Sequence, residues 1–162
     1  MKNAGNENEL AVVLRRMTEG DLASVVRLER QIFPDPWPRS AFARQPGDES
    51  WGAVIAEYEG RLVGYACYLV AIGECHLINI AVDPEHRRKS VAKQLLFCIF
   101  QVAVDNACKL IRLEVRVSNE TAIAFYRRYG FEKLCQRPEY YQQPQEDALV
   151  MVKPLEAPTK SE

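Results

Sequence analysis

No apolar run in this chain of 162 residues approaches the roughly 20 residues a helix needs to cross a bilayer. The longest runs, around residues 65–72 and 95–100, fall far short, so no membrane partner is expected. Residues 1–9 are polar and acidic and lack the apolar stretch of a secretory signal, which argues against export. Histidine is scarce, with His76 and His86 alone, and the five cysteines (Cys67, Cys75, Cys98, Cys108, Cys135) are odd in number and hold no C-x-x-C pair. Neither a zinc site nor a disulfide framework is therefore expected, and a reducing cytoplasm is the natural setting. Charge of one sign is lacking too. Lys and Arg total 21 against 22 Asp and Glu, for a net charge of -1, so there is no global field to hold nucleic acid. Any anion must be met locally.

What is present reads as one globular domain: 48% hydrophobic and 27% charged residues, with 9 Pro, 8 Gly and no internal repeat. Residues 1–10 are expected to be a flexible leader, 11–155 the folded domain and 156–162 a disordered tail. A first strand is read over residues 12–17. Cap-type residues at 18–21 then precede the helical spacing of Leu22, Val25, Val26, Leu28 and Ile32. Three prolines stiffen residues 33–38 into a loop, a short helix is expected over 39–44, and Pro46-Gly47-Asp48 forms a turn. Residues 51–58, 61–70 and 74–82 read as antiparallel strands joined at Glu59-Gly60 and Ile72-Gly73.

A basic loop, His86-Arg87-Arg88-Lys89, leads to a helix opened by Ser90 with Ala92, Leu95, Leu96, Ile99, Val102 and Ala103 as its stripe. Residues 110–117 alternate as a half-buried strand, with Arg112, Glu114 and Arg116 on the polar face. Asn119 suits an N-cap and Gly130 a helix end. Two strands, 131–137 and 147–153, complete the pattern.

Two places offer chemistry. Residues 80–92 run from a strand through cations into a helix start, where free amides and the helix dipole attract phosphate; the plain alternative is a solvated turn capped by Ser90. Asn119, Ala122 and Tyr126 share one helical face, although tyrosine at such a position is commonly core packing. Glu114 is a carboxylate able to take a proton, or else a salt-bridge partner of Arg112 or Arg116. Cys75 has no base beside it in sequence, so an acyl-enzyme is not expected.

In order and spacing, Asn79-Ile80-Ala81-Val82-Asp83-Pro84, Arg87-Arg88-Lys89-Ser90-Val91-Ala92, Leu113-Glu114-Val115-Arg116-Val117-Ser118-Asn119, then Ala122, Tyr126, Gly130-Phe131, Tyr140-Tyr141 and Glu146-Asp147-Ala148 resemble the GCN5-related N-acetyltransferase (GNAT) superfamily. They are most similar to its bacterial ribosomal-protein alanine N-acetyltransferase (RimI-like) branch. The resemblance covers residues 12–155. It implies an α/β (α+β) fold: a mixed, mostly antiparallel seven-stranded sheet flanked by about four helices, with a central parallel strand pair splayed to hold acetyl-CoA as cosubstrate.

The resemblance further implies that backbone at Ile80, Ala81 and Val82 meets the pantetheine arm. Arg87, Arg88, Lys89, Ser90, Val91 and Ala92 would surround the pyrophosphate, and Asn119 would touch the cofactor. Glu114 would be the general base and Tyr126 the proton donor to the departing thiolate, with no metal. The acceptor would be a protein or peptide N-terminus, flanked by Phe33 and Trp37 in the loop after the first helix and by Tyr140 and Tyr141 in the loop between the last two strands. Those aromatics also suit anchoring of the loops onto the core. The family usually has glycine where this chain has Ser90, which would crowd the phosphate or strain a positive φ by roughly 1 kcal/mol. Acetylation of lysine side chains, polyamines or other small amines, and a non-catalytic acetyl-CoA sensor, remain the alternatives.

Overall fold

The computed structural model describes residues 9–43 and 49–156. Most of the expected leader, nearly all of the expected tail, and the Pro46-Gly47-Asp48 turn lie outside the described residues. The strands are β1 (Val13–Arg16), β2 (Trp51–Tyr58), β3 (Arg61–Ala71), β4 (Glu74–Val82), β5 (Leu110–Arg116), β6 (Glu132–Gln142) and β7 (Gln145–Pro154). The helices are α1 (Leu22–Ile32), α2 (Arg39–Phe42), α3 (Val91–Asp105) and α4 (Glu120–Arg128). All seven strands form one sheet in the order β1-β2-β3-β4-β5-β7-β6. Every neighbouring pair is antiparallel except β4 and β5, which is the mixed sheet expected. No helix among the described residues is long and apolar enough to cross a membrane.

Alternation along the strands sorts side chains onto two cores. One face buries Val54, Ala66, Cys75, Leu77, Ile111, Leu113 and Val115 under α3 and α4; the other buries Ile55, Tyr65, Cys67 and Ala81 under α1 and α2. In α3 the buried stripe is Val91, Leu95, Leu96, Ile99 and Ala103, so Val91 takes the place expected for Ala92, and Val102, expected in the stripe, is only half-buried. Gly64 lets that helix sit close: a Cβ there would stand 2.9 Å from the Ala81 carbonyl oxygen and 3.2 Å from Leu95 Cδ1.

The parallel pairing of β4 and β5 is short. It runs only over Glu74↔Leu110, Cys75↔Ile111 and His76↔Arg112, although β4 continues to Val82 and β5 to Arg116. Two residues beyond His76, the β3–β4 register slips: Cys67 opposes Asn79 while Tyr68 opposes Leu77, leaving Ile78 as an extra residue. A bulge bends its strand and increases the twist, so β4 turns away from β5 where their pairing stops.

The last hairpin is longer and tighter than expected. β6 and β7 reach Gln142 and Gln145, so Tyr140 and Tyr141 lie in β6 and not in a loop. Pro138, which lacks an amide donor, sits where Arg137↔Ala148 gives way to Tyr141↔Glu146; an edge strand accommodates such an interruption as a bulge. Glu139 takes a positive φ there and donates its amide to Asp147 Oδ1 at 2.9 Å.

One carboxylate is wholly internal. Glu29 of α1 is 1% exposed. It accepts from the Trp37 amide at 3.1 Å, from Asn79 Nδ2 at 2.8 Å and from the Tyr65 hydroxyl. It thus ties the loop after α1 to β3 and β4. Glu29→Ala strands three donors, and each unmade bond to a buried group costs on the order of 1–3 kcal/mol. The variant is expected to lose about 3 kcal/mol or more of unfolding free energy in a urea titration, and Glu29→Gln distinctly less.

Candidate functional site

The parting of β4 from β5 leaves strand edges without a partner strand. Asp83 donates its amide to Val63 O at 2.8 Å, across the register that pairs Val82 with Gly64. Antiparallel ladders alternate the direction of successive amides. The Ala81 amide therefore points to β3, while those of Ile80 and Val82 point into the gap. Only two of the three residues expected to meet an extended ligand thus offer it an amide. The Ala81 side chain is buried on the α1 side.

The gap leads to the start of α3, whose first amides have no intrahelical acceptor. Arg88 and Ser90 both take left-handed conformations, each with φ 61°, and so turn the chain sharply into the helix. Ser90 stands at the N-cap position but makes no side-chain cap hydrogen bond, so the turn lacks the serine cap that the solvated-turn alternative supposed. Its carbonyl instead accepts from the Gln94 amide and Nε2, both at 3.1 Å. The Leu10 amide donates to Lys89 O at 3.0 Å, and Gln94 Nε2 donates to Leu10 O at 2.8 Å. Arg87 Nε lies 3.4 Å from Val82 O. Amides, a helix N-terminus and the cations Arg87, Arg88 and Lys89 make a cradle suited to a diphosphate.

At the end of β5, Asn119 caps α4, its Oδ1 accepting from the Ala122 amide at 3.2 Å, which leaves Nδ2 to donate elsewhere. Tyr126 is buried on the α3 side against Phe125 and Phe131. Burial, aided by Tyr141, pushes its phenol well above the ordinary value, so it stays protonated at neutral pH.

On the opposite face, Glu114 stands where the strands diverge. Its side chain is 6% exposed, with Oε2 2.5 Å from His76 Nε2 and Oε1 3.8 Å from Arg137 Nη1. Burial pushes the carboxyl up. The His76 hydrogen bond and the charges of His76, Arg112 and Arg137 outweigh it and hold the group below its ordinary value. Of the partners expected for Glu114, Arg116 is engaged elsewhere. It reaches Glu146 at 3.4 Å, donates to the carbonyls of Gln143 and Pro144, and lies 4.2 Å from the Tyr141 ring centre. Arg112 contributes charge alone, its buried Nε unpaired among the described residues.

Tyr140 packs edge-on to Tyr141 at 5.0 Å and beneath Arg137 at 5.1 Å. Burial and the charge of Glu114 raise its phenol. Burial likewise pushes the Tyr141 phenol up to about 12. Phe33 and Trp37 are half-buried against the α1-side core, and the Trp37 ring packs tilted against Phe42, with centroids 5.6 Å apart. A shallow depression lined by Trp37, Pro38, Ser40 and Ala41 opens beside them.

His76 and Arg137 were not singled out from the sequence. The signal for His76 was available: once 74–82 and 110–117 are read as adjacent parallel strands, a histidine on one faces the polar side of the other. Among the described residues no group of three or more His, Cys, Asp and Glu could hold a metal ion.

Residues 22–131 match the model of the acetyltransferase (GNAT) family. The [ribosomal protein bS18]-alanine N-acetyltransferase of Escherichia coli (strain K12) is 31% identical over 137 residues, covering 83% of this chain and 92% of that protein. The crystal structure of the Escherichia coli ribosomal-protein-S18-alanine N-acetyltransferase superposes with a TM-score of 0.84 at 28% identity, covering 94% of this chain and 99% of the other. An uncharacterised protein of Mycobacterium leprae is 38% identical over 147 residues, 86% of this chain, but the chain spans only 40% of its length.

Because the Ser90 side chain makes no cap hydrogen bond to offset its left-handed backbone, Ser90→Gly is expected to stabilise the fold by about 1 kcal/mol. In a thermal melt this reads as a Tm higher by about 2–4 °C.

Proposed function

The chain belongs to the acetyltransferase (GNAT) family and is an N-acyltransferase, and from that premise we propose that it acetylates the N-terminal α-amine of a protein, with alanine of a small-subunit ribosomal protein as the favoured acceptor. The observation that carries this reading is the divergence of β4 and β5 after His76 and Arg112, with a buried, ionised Glu114 on the side where α1 and α2 flank the gap. The similarity to bS18-alanine N-acetyltransferases supports the choice of acceptor. The five free cysteines fit a cytoplasmic setting.

Acetyl-CoA fits the groove as an extended, anion-headed ligand. The amides of Ile80 and Val82 hold the pantetheine arm, the loop from Arg87 to Ala92 holds the diphosphate, and Asn119 Nδ2 donates along the same path. When bound, acetyl-CoA supplies a thioester carbonyl open to attack by a neutral amine. An α-amine, with an ordinary pKa near 8, is about one-tenth neutral at pH 7, whereas a lysine side chain near 10.4 is well under a hundredth neutral. The α-amine therefore asks less of the base. Glu114 accepts the amine's proton, directly or through one water. An amide in the gap donates to the carbonyl oxygen as negative charge develops there. Tyr126, kept protonated by burial, gives its proton to the departing sulfur. Burial holds the Cys75 thiol up near 12, so it does not serve as a nucleophile and transfer is direct.

Tyr140 and Tyr141 on one side, and the loop bearing Phe33 and Trp37 on the other, flank the acceptor peptide. The Glu29 bond to the Trp37 amide fixes that loop before anything binds, which lowers the entropic cost of ordering it.

Glu114→Gln is expected to lower kcat for an Ala-starting peptide by on the order of 10²–10³, and Tyr126→Phe by roughly ten-fold, with KM for acetyl-CoA changed little. Thiol release with a panel of N-terminal peptides, lysine-bearing peptides and small amines tests the acceptor. Turnover on a small amine alone would reject the N-terminal reading.

A further inference from the structure

The geometry points to His76 as the positioning partner of the base: its ring holds one oxygen of Glu114 so that the other is presented to the acceptor nitrogen, and its charge state sets whether that oxygen can take a proton. This rests on the reading of Glu114 as the base, and goes beyond it by making the working unit a pair drawn from two strands.

The two oxygens of Glu114 are differently engaged. Oε2 lies 2.5 Å from His76 Nε2, a short hydrogen bond, whereas among the described residues Oε1 meets only Arg137 Nη1 at 3.8 Å, beyond hydrogen-bond reach. Oε1 thus keeps lone pairs for an incoming proton. A carboxylate with one oxygen fixed cannot swing, and His76 cannot move far either. It is the last β4 residue paired to β5, one position before Leu77, which is buried in the α3-side core. The pair therefore sits at the vertex of the gap, where the acceptor nitrogen and the thioester carbon must meet.

The ring is 22% exposed against 6% for the carboxylate, so His76 exchanges protons with solvent while Glu114 is shielded. With the imidazole neutral, Nε2–H donates to Oε2 and Glu114 keeps its full negative charge. In the transfer, the acceptor N–H bond breaks and its proton goes to Oε1, making Glu114 a neutral acid, while the Nε2–H bond stays intact. With the imidazole protonated, the same hydrogen bond becomes an ion pair and Oε1 loses basicity. Histidine is the side chain that changes charge between about pH 5 and 8.

The other groups facing the pair are fixed in charge or neutral over that range. Arg112 of β5 opposes His76 in register, Arg137 of β6 reaches Glu114 with Tyr140 packed on the Arg137 guanidinium, Leu69 of β3 is uncharged, and Glu74 shares the β4 face. Glu29 reaches β4 only through Asn79.

The test compares wild type, His76→Ala, His76→Gln and Glu114→Gln by kcat and kcat/KM from about pH 5 to 9, with acetyl-CoA and an Ala-starting peptide. His76→Ala is expected to lose on the order of 10²-fold in kcat at pH 8, with KM for acetyl-CoA unmoved. His76→Gln, whose amide still donates to Oε2, should restore most of that loss. On the acid side its profile should be less steep than wild type by one proton. The ring resonances of His76 give a readout that needs no acceptor: Glu114→Gln, which weakens the short hydrogen bond to Nε2, should shift the ring N–H resonance upfield. The inference is overturned if His76→Ala stays within about three-fold of wild type while Glu114→Gln is inactive, which leaves the base reading standing. It is equally overturned if both His76 variants fall alike with an unaltered acid limb, or if the ring N–H resonance does not shift. Full activity in Glu114→Gln would remove the base reading itself, and this inference with it.

Discussion

The separation of two parallel strands is the constraint from which the rest of the site follows. A parallel pair in the middle of a sheet ordinarily satisfies its backbone along its whole length. Here the pairing is abandoned after three residues, leaving amides at Ile80 and Val82 directed at no strand. Such groups are tolerable only where solvent or a ligand can reach them. Each strand is held from its other side, β4 by β3 and β5 by β7, so the gap cannot close by sliding. The bulge at Ile78 supplies the bend, and Gly64 allows α3 to pack against β3 without filling the space. A permanent slot is thereby built from backbone alone, and side chains need only decorate its two ends.

Two buried carboxylates show how differently a fold can use the same group. Glu29 accepts hydrogen bonds from three donors on three elements; its charge is spent on structure and it has little capacity left for chemistry. Glu114 is also desolvated, yet its ionised form is retained by one short bond and the charges around it. The first is an internal fastener and the second has a free oxygen at a cleft. Exposure alone does not separate them. The count of engaged lone pairs does.

Much of this was legible in the chain. The alternation of Ile111, Leu113 and Val115 fixed β5 and put Glu114 on its polar face, because a strand has a period of two and only one side of this one is apolar. Asn119 and Gly130 marked the ends of α4 through capping chemistry that needs no tertiary information. Ser90 standing where the related family has glycine pointed to a positive φ, and the backbone there adopts one. Other features were hidden because they depend on register. Pairing of His76 with Glu114 requires knowing which strands are neighbours and in what phase. The reach of β6 to Gln142 depends on an edge position that tolerates Pro138 and a bulge. Arg116 was read as a partner of Glu114 since both share a strand face, but residues two apart on one strand lie farther from each other than from cross-strand neighbours, and β7 offered Glu146.

The strained turn before α3 is held by its neighbours in the fold. Left-handed conformations at Arg88 and Ser90 each cost on the order of 1 kcal/mol in a residue with a Cβ, and persist only where surroundings over-determine them. The surroundings here are identifiable. Leu10 bonds to Lys89, Gln94 bonds to both Leu10 and the Ser90 carbonyl, and Val91 is buried in the core immediately after. The N-terminal segment thus acts as a brace for the turn. With the turn held, the first amides of α3 are fixed in direction by the fold itself, which is the preorganisation an anion site would require. A glycine in place of Ser90 would relieve the strain without changing that geometry, since the direction of the amides is set by the bonds on either side and not by the side chain between them.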